Sequence, residues 1–119
     1  MSEMKNIVFL TLIFISFKPL CETFLKGIDD IPTYKNMVHV EDSLVMFDKV
    51  NGRFVSTEMI GQYKYSDVSK FYNQILPNLG WKLVKKNLYI RAEESLELEY
   101  KFNGKDLRVV FNISPKKSE

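Results

Sequence analysis

Ser66-Asp67-Val68-Ser69-Lys70-Phe71-Tyr72-Asn73-Gln74-Ile75-Leu76-Pro77-Asn78-Leu79-Gly80-Trp81 is the stretch on which the fold turns. Val68, Phe71, Tyr72 and Ile75 recur at helical spacing, so all four lie on one face. Asp67, Lys70, Asn73 and Gln74 fall on the opposite face. Ser66 is placed to cap the first turn with its hydroxyl, and Asp67 sits where the helix dipole favours an acid. Pro77 biases Leu76 away from helical angles, so the spacing predicts a helix of about ten residues. Gly80 supplies the turn that ends it, and Trp81 follows as a core anchor. So short a helix is marginal alone and needs a sheet under its apolar face.

Working outward, both flanks read as strand. Val38 to Asp48 and Phe54 to Tyr63 bracket Asn51-Gly52, a hairpin dipeptide. Two registers are open, one pairing Met46 with Val55 and the other with Thr57. Both put Leu44 and Met46 on the face of Val55, Thr57 and Met59, because side chains alternate along a strand. After the helix, Trp81 to Val84 and Leu88 to Arg91 are short strands around the polar turn Lys85-Lys86-Asn87. Leu96, Leu98, Tyr100 and Phe102 alternate with charged and polar residues up to Asn103-Gly104, and Leu107, Val109, Phe111 and Ile113 alternate on the return. A two-residue loop there pairs Tyr100 with Leu107, and sets Glu99 against Arg108 and Lys101 against Asp106. The expected fold is α+β, in the order strand, strand, helix, strand, strand, strand. An antiparallel sheet of five or six strands carries one helix on one face.

The 119 residues suffice for one domain, and 45% hydrophobic with 27% charged is ordinary for a globular chain. A net charge of +2 leaves no footprint for nucleic acid. The single cysteine, Cys21, excludes an internal disulfide and a cysteine zinc site, and one histidine excludes an all-histidine metal site. No cofactor motif is present.

Residues 1–21 read as an export signal, with Lys5 ahead of the apolar run from Ile7 to Phe17 and Lys18-Pro19 closing it. Cleavage near Cys21, lipidation of Cys21 and retention as a membrane anchor are the three open fates, and Met4 is an alternative start. Residues 22–36 lack periodicity and read as a linker or leading arm, with Ile31 and Tyr34 placed to pin it to the sheet edge. Residues 37–114 form the α+β domain and residues 115–119 a polar tail.

Phe-Asp-Lys-Val-Asn-Gly-Arg at Phe47 to Arg53, then Gly61, then Phe-Tyr-Asn-Gln-Ile-Leu-Pro-Asn-Leu-Gly-Trp at Phe71 to Trp81 form a recognisable set. The set resembles a family of small secreted proteins of Gram-negative bacteria, with an F-D-x-x-x-G-R hairpin and an F-Y-x-x-x-L-P-x-L-G-W helix end. The resemblance covers Ile31 to Ser114. It implies an exported α+β protein of the periplasm or cell envelope and carries over no catalytic residue.

Candidate sites are few. The second face of the first hairpin holds Val45, Phe47 and Phe54, with Tyr63 near, and is more apolar than a solvated face needs. It is either a surface for an envelope protein or an apolar ligand, or the seat of the leading arm through Phe24 and Tyr34. Two alternatives stand beside it, a small periplasmic enzyme using His39 with Glu41 on one strand face as a general base, and a membrane-anchored structural or assembly protein. Lys82, Lys85, Lys86 and Arg91 form a local basic cluster. Glu93, Glu94, Glu97 and Glu99 read as a charged face answered by Arg108. No serine has a nucleophile's setting.

Overall fold

The structure, a computed structural model, describes residues 23–116. The signal-peptide reading, the fates of Cys21 and any membrane association through the N-terminal segment lie outside those residues. Among the described residues, nine strands and one helix run in the order β1 (Phe24–Leu25), β2 (Ile28–Pro32), β3 (Val38–His39), β4 (Val45–Lys49), β5 (Gly52–Gly61), α1 (Tyr65–Asn78), β6 (Lys82–Lys85), β7 (Leu88–Arg91), β8 (Glu94–Phe102) and β9 (Leu107–Pro115). The fold is α+β. One antiparallel sheet of seven strands has the order β3-β5-β9-β8-β7-β6, with β4 also paired to β5. Since β9 holds one edge of β5, β3 and β4 share the other. They are one expected strand broken by a turn, in which the Ser43 amide donates to the Val40 carbonyl and Asp42 takes a φ of +62°. That break supplies the seventh strand.

The helix lays Val68, Tyr72 and Leu76 fully into the core and half-buries Phe71, Ile75 and Leu79. It is longer than the sequence suggested. Lys64 takes the N-cap position without a side-chain cap, and Ser66 is already helical. Pro77 sits inside the last turn, where the amide it lacks would have served only Asn73 on the solvent side. The Gly80 amide donates to the Pro77 carbonyl and the Trp81 amide to the Leu76 carbonyl. This is a Schellman end, with Gly80 at φ +94° and its apolar pair, Leu76 and Trp81, both buried.

The inner face of the sheet meets the helix with Val55, Met59, Tyr89, Leu96, Leu98, Val109, Phe111 and Ile113. The leading arm, expected as an arm or a linker, completes this core. β1 and β2 form a separate hairpin whose Leu25, Ile28 and Ile31 are fully buried, followed by buried Tyr34 and Met37. The Tyr72 hydroxyl donates to the Pro32 carbonyl at 2.8 Å, and the hydroxyls of Thr23 and Thr33 pair at 2.6 Å. Strands of two and five residues carry too few positions for a period to show, which is why the pattern was not legible. At the other end the polar tail begins later than expected. Pro115 closes β9, and the Lys116 amide donates to the Glu93 carbonyl.

Both long hairpins keep the expected faces with changed turns. The first pairs Met46 with Val55 and turns at Val50-Asn51, with Gly52 at φ +140° opening β5. The last pairs Tyr100 with Val109 and Phe102 with Leu107, two residues away from the expected register. The Asn103 carboxamide oxygen accepts from the amides of Lys105 and Asp106, so the loop takes four residues. The expected Glu99–Arg108 and Lys101–Asp106 pairs are therefore absent. Lys101 faces Arg108 instead, and Arg108 turns to Glu58 on β5 at 2.9 Å.

Candidate binding face

The register of β4 on β5 decides what the outer face displays. Val45 stands opposite Ser56 and Phe47 opposite Phe54, all four on the side away from the helix. The rings of Phe47 and Phe54 stack at 5.1 Å with 11° between their planes. The Lys49 ammonium lies 5.8 and 5.6 Å from the two ring centres, within cation–π range. Val45, Phe47 and Phe54 form one wall of a shallow groove, and Ser56, Asn112 and Ser114 line the side toward β9. The sequence-predicted residues are thus brought together, with Phe47 48% exposed and Val45 52%. Asn112 and Ser114 on that side were not foreseen, because they reach it through β5 pairing with β9 across 55 intervening positions of chain, from Ser56 to Asn112.

The leading arm does not cover this face. Its turn packs on the inner side, where a Cβ at Gly27 would come within 2.6 Å of the Leu44 side chain and 3.2 Å of Val55. Tyr34 stacks edge-on against Tyr63 and Phe71, each at 5.2 Å. Tyr63 therefore belongs to the arm and helix, and its hydroxyl accepts from the Asn36 amide. Phe24, 47% exposed, stays on β1. Among the described residues nothing is seated on the groove.

The groove encloses about 200 Å³. Sites for small organic ligands run to roughly 300–1,000 Å³. Its size suits one inserted side chain better than a separate molecule.

The other candidates disperse. β3 ends at His39, so Glu41 lies in the following turn rather than two places along a strand. His39 Nδ1 is buried without a partner, Glu41 is exposed, and no hydrogen bond or ion pair joins them. Arg91 leaves the lysine cluster. It donates to Asp30 at 2.8 Å and to the Leu79 carbonyl at 2.9 Å, and its guanidinium lies 4.1 Å over the Trp81 ring. From the acidic run, Glu94 binds Arg53 at 2.7 and 3.2 Å. That hydrogen bond raises the Arg53 pKa, so the guanidinium stays charged. These clamps join β2 to β7 and β5 to β8, a structural role for Arg91 and Glu94, which the sequence placed in surface clusters. Among the described residues no three metal-ligating side chains cluster, and no helix is long and apolar enough to cross a membrane.

Comparison with known protein families, with curated proteins and with solved structures returns no match for this chain.

Proposed function

We propose that the protein is an exported, non-catalytic binding or accessory module of the periplasm or cell envelope. It holds a protein partner through the outer face of β4 and β5. The observation that carries this reading is the stacked Phe47–Phe54 pair beside Val45, left open by an arm that spends its apolar residues on the core. Grouped exposed aromatics of this kind mark interaction surfaces, and buried aromatic anchors supply most of the affinity at such surfaces. The groove's volume supports a partner that inserts a side chain. Export rests on the Lys-flanked apolar run at the N-terminus and on the resemblance of the hairpin and helix-end motifs.

The test is capture of the partner from an envelope fraction by the wild type and by a Phe47→Ser/Phe54→Ser double variant, with thermal unfolding run alongside. The double variant should keep a cooperative transition and lose the partner. Undiminished capture by a folded double variant would remove this face from the function.

A further inference from the structure

We propose that the open edge of β4 pairs with β4 of a second copy, antiparallel, with the two-fold axis passing through Phe47. This rests on the reading of the Phe47 face as an interaction surface and names one of its partners as the chain itself.

The backbone shows that this edge is free. The Glu58 amide donates to Ser43 Oγ and its carbonyl accepts from the Val40 amide, so even-numbered residues of β5 turn their peptide groups toward β3 and β4. Their partners Val45, Phe47 and Lys49 are thereby used. The amides and carbonyls of Met46 and Asp48 consequently point away from the sheet, and among the described residues no strand takes them.

The two edges of the sheet are not treated alike. β6 carries Lys82 and Lys85 and a register irregularity between Leu83 and Lys85, devices that discourage edge pairing. β4 has a regular register and is exposed along all five residues. Leu44, Val45, Met46, Phe47 and Val50 are five of the eleven large exposed hydrophobics of the described chain. They fall within seven consecutive positions.

Charge selects the register. Free groups at even positions require that Met46 or Asp48 face an even position of the second copy. An axis through Asp48 sets Asp48 against its own copy, a like-charge pair directly opposed. An axis through Met46 leaves Lys49 and Val50 beyond the pairing. An axis through Phe47 sets Met46 against Asp48, Val45 against Lys49 and Leu44 against Val50, each twice. The outer face then carries Phe54, Phe47, Phe47 and Phe54 as one row of rings across the junction, extending a stack already present. Asp48 keeps Arg53 as its opposite on β5. Seven residues a side is small against the roughly 20–30 of a standard interface, so the dimer is weak and concentration-dependent.

Sedimentation equilibrium of the full chain between ~10 μM and ~1 mM reads the association, because small interfaces dissociate in that range. Met46→Pro removes only an outward amide, which an edge strand tolerates. The wild type should shift from monomer toward dimer and Met46→Pro should stay monomeric. A second readout covers the case in which that variant does not fold. In a Cys21→Ser background, Phe47→Cys faces its own copy across a non-hydrogen-bonded pair, at about 4.5 Å between Cα atoms. It should form a disulfide dimer at least ~5-fold faster than Asp48→Cys, whose thiols lie beyond disulfide reach in this register. A chain monomeric throughout, equal association by a folded Met46→Pro variant, or equal cross-linking of the two cysteine variants overturns the proposal. A monomer whose edge is filled by residues 1–22 would also give no Phe47→Cys disulfide, and overturns it too. Failure here with retained partner capture leaves the binding face standing.

Discussion

Thr57 stands on the inner face between Val55 and Met59, fully buried, and its hydroxyl has no partner among the described residues. A buried hydroxyl without a hydrogen bond costs about 1–3 kcal/mol of desolvation, which a methyl of similar shape avoids. Thr57→Val should therefore raise stability, by about 1 kcal/mol in urea unfolding; a loss of stability would show that the hydroxyl is satisfied. Arg91 is the opposite case, a guanidinium with three partners. Arg91→Ala releases the Leu79 carbonyl, Asp30 and the Trp81 ring together and should cost about 2 kcal/mol, with Arg91→Lys recovering only part. Burial pushes the hydroxyls of Tyr72 and Tyr100 well above the ordinary tyrosine range. Each stays protonated in the fold while the unfolded chain ionises near pH 10, so their contribution is complete below about pH 10 and declines above it. The urea midpoint should fall as pH rises past about 10, and Tyr100→Phe should flatten that fall. An unchanged slope would show that Tyr100 ionises freely in the folded state.

Among the elements, the helix and the two long hairpins were legible in the sequence because each repeats its period several times. Val68 and Tyr72 recur over the helix, and Leu96, Leu98, Val109 and Phe111 alternate through the last hairpin, all buried as expected. What failed is local chemistry at the ends. Asn103 bonds its own loop and moves the register by two residues, a choice invisible to an alternation that is the same in either register. Pro77 ends no helix because it stands where the lost bond faces water. Asn103→Ala should weaken the four-residue loop by about 1 kcal/mol and lower exchange protection at Lys105 and Asp106, whose amides lose their acceptor. Unchanged protection there would mean the loop is held by backbone alone. Val45, Phe47 and Phe54 were legible as a candidate site through their excess of apolar surface, since the face they share depends only on parity. The groove's polar side was not, because Asn112 and Ser114 reach it through long-range pairing.

At the scale of the whole molecule, the helix and the arm cover one side of the sheet, and no described element covers the other. The helix and the arm together fill the inner face, and Leu25, Ile28 and Ile31 make the arm part of the core rather than a tether. With the arm committed there, the outer face of β4 and β5 stays exposed among the described residues, the face we propose for a partner. The stability of the domain and the exposure of that face thus have one cause, the side on which the arm folds. Equilibrium urea unfolding of Ile31→Ala beside Phe47→Ala tests that cause most directly. Ile31→Ala should lose about 2–5 kcal/mol, as a fully buried isoleucine does, and Phe47→Ala no more than about 1.5 kcal/mol, the worth of a stacked ring pair. A Phe47→Ala variant as damaged as a core deletion, beside an Ile31→Ala variant close to wild type, would place the arm on the other face and contradict both the fold and the function proposed for it.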